Sequence, residues 1–230
     1  MVHDAVDLMN KGMSLGDAKA YLLERLQSEQ PDYWNRRTTL SAYLEKGPAM
    51  LEGYAEYQRF NPADVIASEY RFMVDIGEHQ ISGIVDLIEL PHDHSCLKLV
   101  DLKTGRRPIF DTLYLDIQFL IYYWASTRKE FWTGYPGQED KYHGIENGEE
   151  LYEYFSNIPR ESYWFDLKSS ESIYTGDKTG RDFGRLYRII EQVARAVEYD
   201  VYVPTLNGDT CPYCDFQDIC PVYFDNDTGL

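Results

Sequence analysis

Two runs in the middle of the chain have the hydrophobic character of paired β-strands. Residues 81–90 and 97–103 are rich in Ile, Val and Leu, and a polar segment with Pro, His, Asp and Ser separates them at 91–95. Apolar runs of this length, bounded by turn-forming residues, predict strands, and the short connection predicts a hairpin. Further strands are predicted at residues 69–74 and 162–167.

Apolar residues that recur every three or four positions predict helices along most of the remaining chain. The helical pattern of residues 2–27 is interrupted at 14–17, and that of residues 31–61 at Gly47-Pro48. More helices are predicted from the turn at Thr104-Gly105 to about Thr127, at 149–157 and at 183–199. The segments 132–147 and 169–180, rich in Gly, Pro or polar residues, are predicted to be loops. These elements predict an α/β fold.

Alternation along the strand at 97–103 places two charged side chains together. Asp101 and Lys103 are two positions apart and project from the same face, whereas Leu102 points away. Asp86 can join them if the two strands pair as a hairpin. Two converging carboxylates form a hard oxygen site that suits Mg²⁺ or Mn²⁺, and the backbone carbonyl of Leu102 is a candidate for a further ligand.

These side chains have the chemistry needed to hydrolyse a phosphodiester with an activated water. A bound cation lowers the pKa of its water and polarises the phosphoryl oxygen, while Lys103 can orient the water and offset developing charge. On the following helix, Tyr114, Gln118 and Tyr122 recur at every fourth position and form one stripe. Gln118 and Tyr122 could contact the scissile phosphate or an adjacent base.

Each of these features also has an ordinary structural explanation. A D-x-K tripeptide is expected by chance roughly once in a chain of this size, and a salt-bridged strand pair would account for it. The helical stripe is also typical of a solvated helix face. The order of the features favours the catalytic interpretation: an acid in one strand, D-x-K in the next, a Thr-Gly turn, and then Q-x-x-x-Y on a helix.

The overall charge argues against a general polyanion binder. The 230 residues carry a formal net charge of −17, whereas non-specific affinity for nucleic acid comes mainly from Lys and Arg. Metal ions and a local basic strip could supply the attraction, and the strip predicted here comprises Lys103, Arg106, Arg107, Arg128 and Lys129. The 20 tyrosines would suit base stacking, although packing around an acidic domain better explains most of them.

Three segments carry a resemblance to a known family: Gly83-Ile84-Val85-Asp86, Asp101-Leu102-Lys103-Thr104-Gly105 and Gln118-Phe119-Leu120-Ile121-Tyr122. With them the chain resembles the RecB-like branch of the PD-(D/E)XK nuclease superfamily, which includes phage and CRISPR-associated exonucleases. The resemblance implies a restriction-endonuclease-like core, in which helices flank a central mixed sheet. It also implies that Asp86 and Asp101 are metal ligands, that Lys103 is the catalytic lysine, and that Gln118 and Tyr122 complete the site.

Two further positions gain interest from the resemblance. His3 is similar to the metal-binding histidine of the family's G-x-x-x-H motif, and the rest of that motif has no counterpart, which implies that the chain begins inside the family's domain. The alternative for His3 is a solvated side chain near the terminus. Glu69 matches an acidic position often seen before the first strand of this core, and its alternative is a charge on an edge strand.

Three of the four cysteines lie near the C-terminal end of the sequence. Cys211, Cys214 and Cys220 have C-x2-C-x5-C spacing, which favours metal ligation over a disulfide framework when no signal peptide is present. In the RecB-like family a similar triplet joins an upstream cysteine to hold a [4Fe-4S] cluster. Cys96 is predicted to be a core or turn cysteine instead, so the fourth ligand is not identified. A Zn²⁺ site or reduced thiols are the alternatives.

These features predict a nuclease core at residues 1–200, with a helical N-terminal part and an insertion near 130–160, and a cysteine-bearing lobe at 201–230. The predicted activity is a Mg²⁺- or Mn²⁺-dependent DNA exonuclease acting on single strands or duplex ends, in recombination, repair or phage DNA processing. The alternative is an inactive nuclease-fold module that binds DNA or a partner, such as a recombination or replication protein. We expect a soluble, cytoplasmic protein of a bacterial or phage-infected cell, with no membrane partner.

Overall fold

The computed structural model describes residues 1–28, 40–105, 113, 115–133, 148–201, 211, 214 and 220. Within these residues the chain forms seven helices and five strands. Their order is α1 (Val2–Asn10), α2 (Leu15–Ser28), α3 (Leu40–Phe60), β1 (Ala63–Ile76), β2 (His79–Pro91), β3 (Leu97–Lys103), α4 (Ile117–Ser126), α5 (Lys129–Thr133), α6 (Gly148–Phe155), β4 (Arg160–Asp166), β5 (Glu171–Tyr174) and α7 (Gly180–Glu198).

The five strands form one mixed sheet in the order β1-β2-β3-β4-β5. Strand β2 pairs antiparallel with both β1 and β3, so the predicted hairpin between the two central runs is confirmed. Strand β4 lies parallel to β3, after a long connection that includes α4, α5 and α6, and β5 pairs antiparallel with β4. Parallel neighbours need such a crossover, whereas antiparallel neighbours need only a turn.

Helices cover both faces of this sheet. Helices α1, α2 and α3 pack on one face, in a cluster where Leu22, Leu51 and Tyr54 meet Leu102 and Phe165 of the sheet. Side chains alternate along a strand. Asp101, which precedes Leu102, and Trp164, which precedes Phe165, therefore point to the other face of the sheet. On that face Trp164 packs with Leu113 and Phe119, next to α4. The predicted α/β architecture, a mixed sheet flanked by helices, is confirmed.

Helix α3 corrects one prediction. The pattern predicts a break at Gly47-Pro48, but α3 is a single helix of 21 residues with Pro48 inside it. Proline removes one helical hydrogen bond, so packing must offset the cost. A Cβ at Gly47 would lie 2.9 Å from Cδ2 of Leu22, so glycine at this position allows α2 and α3 to approach closely.

Two predicted loops contain regular structure. Trp132 lies in helix α5 instead of a poorly packed loop, and its buried indole stacks on Phe155 at a centroid distance of 4.8 Å. Residues 134–147 lie outside the described part of the chain. In the polar segment 169–180, the short strand Glu171–Tyr174 adds to the sheet edge. Its side chains are largely exposed, which explains why the segment lacks an apolar strand pattern.

The chain divides into two compact units, residues 1–187 and 188–230. The predicted boundary at 200/201 and the predicted insertion near 130–160 stay predictions. Of the second unit, the structure describes residues 188–201 and the three cysteines. Among the described helices, none combines the length and the apolar composition needed to cross a membrane.

Candidate metal and catalytic centre

The two acids predicted from the hairpin lie side by side on the helix α4 face of the sheet. The β2–β3 pairing ends at Leu87 and Val100, and the next residues are Asp86 and Asp101. Oδ2 of Asp86 accepts a hydrogen bond of 2.7 Å from the backbone N–H of Leu102. A carboxylate therefore continues the contact between the two strands beyond the backbone ladder.

Helix α1 and strand β1 bring two further potential ligands to Asp86. Nδ1 of His3 lies 3.7 Å from Oδ2 of Asp86 and 3.8 Å from Oε1 of Glu69. The potential ligand atoms of His3, Glu69 and Asp86 all lie within 4.8 Å of one another. Although His3 and Asp86 are 83 positions apart in the sequence, the three residues form one cluster, with one imidazole nitrogen and two carboxylates as potential metal ligands.

The position of His3 depends on how α1 packs. Val2, Ala5 and Val6 are buried against the core, which fixes the orientation of the helix. One turn after His3, Asp7 accepts a hydrogen bond from the Ser68 hydroxyl of β1. Because positions four apart share one side of a helix, this contact holds the His3 side of α1 over the strand that carries Glu69.

A hydrogen-bonded network links the D-x-K segment to helix α4. Nζ of Lys103 lies 2.5 Å from Oδ2 of Asp101 and donates a 3.2 Å bond to Oε1 of Gln118. Nε2 of Gln118 donates to Oδ1 of Asp101 at 2.9 Å and contacts the Tyr122 hydroxyl at 2.8 Å. That hydroxyl donates to the carbonyl of Ile84 in β2. The structure therefore brings together Asp86, Asp101, Lys103, Gln118 and Tyr122.

The sequence profile of the PD-(D/E)XK nuclease superfamily matches residues 1–221, nearly the whole chain. The chain belongs to this superfamily. Membership implies a phosphodiester hydrolase that acts on DNA, and superfamily members generally use divalent metal ions. No curated protein has a sequence that matches this one.

In this superfamily member, burial shifts the pKa values of the ionisable groups at the candidate centre. Desolvation raises the pKa of Asp86 to about 6, against the bond from Leu102 and the charge of Lys103, both of which lower it. Desolvation, and secondarily the charge of Asp86, raises the pKa of Asp101 to about 6. Desolvation also raises the pKa of Glu69, and it lowers the pKa of His3. Each shift disfavours the charged form of its group, so a cation among these side chains would be stabilising.

The donor set fits a hard divalent cation. Oε1 of Glu69 is buried and, among the described residues, has no hydrogen-bond partner. An unsatisfied buried carboxylate oxygen is costly, and a metal ion would satisfy it. Carboxylate oxygens with one imidazole nitrogen suit Mg²⁺ or Mn²⁺. The residues present therefore fit the metal that the superfamily implies.

Not every predicted ligand has the same position in this cluster. Asp101 is engaged with Lys103 and Gln118 and lies outside the three-residue group, so its role as a ligand stays a prediction. The N–H of Leu102 is bonded to Asp86, and a role for its carbonyl also stays a prediction. Tyr114 lies outside the described residues.

Glu69 is the residue whose importance the sequence pattern alone underestimates. It lies inside β1, with a backbone φ of +49°, in the left-handed region that disfavours residues other than glycine. Strained backbone of this kind is concentrated at functional sites. A regular alternation does not predict where its side chain points. Its match to the family's acidic position was the available signal.

Asp116 is a second residue that sequence reasoning missed. It is the N-cap of α4, and its carboxylate accepts a 2.9 Å bond from the N–H of Gln118. An aspartate directly before an apolar helical run is a recognisable N-cap signal. The cap fixes the start of α4 and with it the position of Gln118.

The four cysteines form no disulfide. Cys211, Cys214 and Cys220 belong to the second unit, and the N–H of Cys214 donates to the carbonyl of Cys211 at 3.2 Å. Their predicted role as cluster or zinc ligands stays a prediction. Cys96 is buried just before β3, in agreement with the expectation of a core or turn cysteine.

Proposed function

We propose that this chain is a Mg²⁺- or Mn²⁺-dependent DNA exonuclease of the RecB-like branch. The observation that carries the proposal is the three-ligand cluster of His3, Glu69 and Asp86 beside the hydrogen-bonded set of Asp101, Lys103 and Gln118. A pure scaffold has no physical need for five ionisable groups crowded into one partly buried site, because their desolvation and the repulsion among the three carboxylates cost stability.

His3, Glu69 and Asp86 would hold the cation, with Asp101 as a further candidate. When bound, the cation would activate a water and neutralise charge on the phosphoryl oxygens. Lys103 has the exposure expected of a group that meets substrate: its side chain is 34% exposed, whereas that of Asp101 is 2% exposed. Its ammonium group would bind a phosphate oxygen or orient the attacking water and would offset the charge that develops in the transition state.

Gln118 and Tyr122 would act by positioning. Gln118 bonds to both Asp101 and Lys103, so it sets the separation of these two side chains. Tyr122 fixes Gln118 through its hydroxyl and is tied to the backbone of β2 at Ile84. The geometry of the catalytic lysine would therefore depend on the docking of α4 against β2 and β3.

The cysteine-bearing lobe completes the proposal. Cys211, Cys214 and Cys220 would bind a [4Fe-4S] cluster together with a fourth ligand that is not identified, or would bind Zn²⁺. The substrate would be DNA single strands or duplex ends in recombination, repair or phage DNA processing, with a recombination or replication protein as partner. The site of action would be the cytoplasm of a bacterial or phage-infected cell.

The test is cleavage of end-labelled single-stranded and double-stranded DNA with Mg²⁺ or Mn²⁺, comparing the wild type with Lys103→Ala. Lys46→Ala, at an exposed position on α3, is the matched lysine control. We expect metal-dependent cleavage that Lys103→Ala reduces by at least 10²-fold and that the control retains. Stepwise shortening of the labelled strand from its unlabelled end, or release of the label as a mononucleotide, would support the exonuclease mode.

Binding of DNA without cleavage, by a folded chain shown to bind Mn²⁺, would favour the alternative of an inactive nuclease-fold module. The net charge of −17 is the observation in favour of that alternative, because it weakens general attraction to DNA and suits a protein partner. Cleavage at equal rates by Lys103→Ala and the wild type would contradict the assigned role of the lysine.

A further inference from the structure

Helix α7 carries four arginines along one side. Arg181, Arg185, Arg188 and Arg195 follow each other at intervals of four, three and seven residues within the helix Gly180–Glu198. At 100° per residue, these positions fall within an arc of about 80°, and the remaining position in that arc is Gln192. We call these four arginines the arginine stripe. It extends about 21 Å along the helix axis.

The carboxylate of Asp182 interacts electrostatically with Arg185, but the stripe is not locked into close ion pairs with described carboxylates. Arg181, Arg188 and Arg195 are exposed, and Arg185 is partly buried. Within the described part of the chain, none of the four is in an ion pair with a carboxylate. The three acids of α7, Asp182, Glu191 and Glu198, lie outside the arc. In a chain with 22 basic and 39 acidic residues, a solvent-facing helix whose role is only structural would be expected to pair its arginines along the helix.

The basic strip predicted from the sequence is different in this respect. Lys129 pairs with Glu149 at 2.5 Å, and the guanidinium of Arg128 stacks on Trp124 at 4.4 Å from the ring centroid. Arg106 and Arg107 lie outside the described residues. Lys129 is therefore paired with an acid, whereas the exposed arginines of the stripe have no close ion pair with a described carboxylate.

The N-terminal end of the stripe lies beside the segment that leads into helix α4. Nη2 of Arg185 donates a 3.1 Å hydrogen bond to the carbonyl of Leu115. The next residue, Asp116, caps α4 and holds the N–H of Gln118, whose side chain bonds to Asp101 and Lys103. This chain of contacts, all within the first unit, connects Arg185 to the candidate catalytic centre.

We infer that the arginine stripe binds the phosphate backbone of the DNA strand that is cleaved. The inference deepens the proposed nuclease function and rests on it for the choice of substrate. Arginine suits the role because its planar guanidinium forms paired hydrogen bonds to phosphate and is charged at all relevant pH values. A row of cations on an otherwise acidic chain would hold a polyanion along one line.

The test uses two double variants with the same change in net charge. Arg181→Gln with Arg188→Gln removes two exposed members of the stripe and leaves the Arg185 contact intact. Lys46→Gln with Arg59→Gln removes two exposed cations from α3 and is the control. Binding to a fluorescent single-stranded DNA 20-mer is measured by anisotropy over a range of salt concentrations, in EDTA to prevent cleavage. Melting temperatures check that all proteins remain folded.

We expect the stripe variant to bind about tenfold more weakly at low salt than the wild type, and the control to change less than twofold. The slope of log affinity against log salt concentration should fall by about 1.4 in the stripe variant, because each lost phosphate contact accounts for about 0.7 on single strands. Equal losses in both double variants would mean a net-charge effect only and would overturn the inference. Absence of DNA binding by the wild type would overturn it too.

Cleavage by the wild type with Mn²⁺, measured separately, distinguishes the two proposals. If the wild type cleaves DNA and the stripe variant binds DNA as tightly as the control, the nuclease function is supported and the role of the arginine stripe is contradicted. If the wild type binds DNA through the stripe but does not cleave it, the role of the stripe is supported and the nuclease function is contradicted. If both proposals hold, the stripe variant should raise KM while leaving kcat within about twofold, because it removes binding energy remote from the reacting atoms.

Discussion

The carboxylate of Asp86 accepts the backbone N–H of Leu102 at 2.7 Å, so a side chain completes the pairing of β2 with β3. The same carboxylate lies 3.7 Å from His3 and belongs to the three-ligand cluster. Asp86 therefore has a structural role and a proposed role as a metal ligand, and one substitution can separate them. Asparagine keeps an oxygen that can accept from Leu102 but removes the negative charge.

For Asp86→Asn we expect opposite effects on stability and on metal binding. Without metal, desolvation of the charged carboxylate opposes folding, so at pH 7 the neutral amide should raise the free energy of unfolding by about 1–3 kcal/mol. Mn²⁺ affinity should fall by at least tenfold, and cleavage should be lost. Urea denaturation in EDTA and titration calorimetry with Mn²⁺ measure the two effects. A variant that is less stable without metal than the wild type would contradict this account.

Removal of the Tyr122 hydroxyl should impair catalysis more than binding. In Tyr122→Phe, Gln118 loses the partner that holds its amide at 2.8 Å, so Lys103 is held less firmly in position. We expect kcat to fall by about ten- to a hundredfold, with little change in the affinity for Mn²⁺. Tyr123→Phe removes a hydroxyl from the adjacent position of α4 and serves as the control. Equal kcat values for the two variants would show that the hydroxyl of Tyr122 has no positioning role.

Much of the site could be predicted because its central residues follow simple periodicities. Alternation placed Asp101 and Lys103 on one strand face, and the predicted hairpin brought Asp86 to them. Gln118 and Tyr122 are four apart on a helix, and the structure connects them by a hydrogen bond. Strand alternation, helical spacing and the pairing of two neighbouring strands were therefore enough to predict these positions.

The features that were not predicted depend on contacts between distant segments. The helix α3 continues through Pro48, where the neighbouring Gly47 packs against Leu22 of α2, 25 positions earlier. Strand β5 has a mostly exposed, polar sequence and is defined by its pairing with β4. The direction of the Glu69 side chain follows from a positive φ inside β1, which breaks the alternation. Sequence periodicity contains no signal for such tertiary effects.

Glu69 should be a metal ligand of the same rank as Asp86. Glu69→Gln leaves a side chain of equal size but removes the charge next to His3, so we expect the Mn²⁺ affinity to fall by at least tenfold. Titration of the folded variant with Mn²⁺ measures this directly. Glu78→Gln, at an exposed position of the turn between β1 and β2, is the control for the lost charge. An unchanged affinity in Glu69→Gln would remove this residue from the site.

A second buried acid, remote from the catalytic network, should make stability depend on pH. Glu89 lies in β2 on the face covered by α3, where its carboxylate accepts a 2.9 Å bond from the Tyr57 hydroxyl. Desolvation raises the pKa of Glu89, although the bond from Tyr57 and the charge of Lys98 both act in the other direction. In the unfolded chain this carboxyl group ionises near its ordinary pKa of about 4.5. Between that pH and the raised pKa of the folded state, Glu89 is protonated in the folded chain but ionised in the unfolded chain.

Stability contributed by protonated Glu89 should therefore be fully present below about pH 4.5 and be lost as pH rises through the raised pKa of the folded state. Glu89→Gln, whose amide oxygen can still accept from Tyr57, should match the wild type at pH 4 and exceed its free energy of unfolding at pH 8. Urea denaturation from pH 4 to pH 8 in EDTA measures the difference, and Glu78→Gln is again the exposed control. A difference between Glu89→Gln and the wild type that stays constant over this range would show that Glu89 does not titrate with folding.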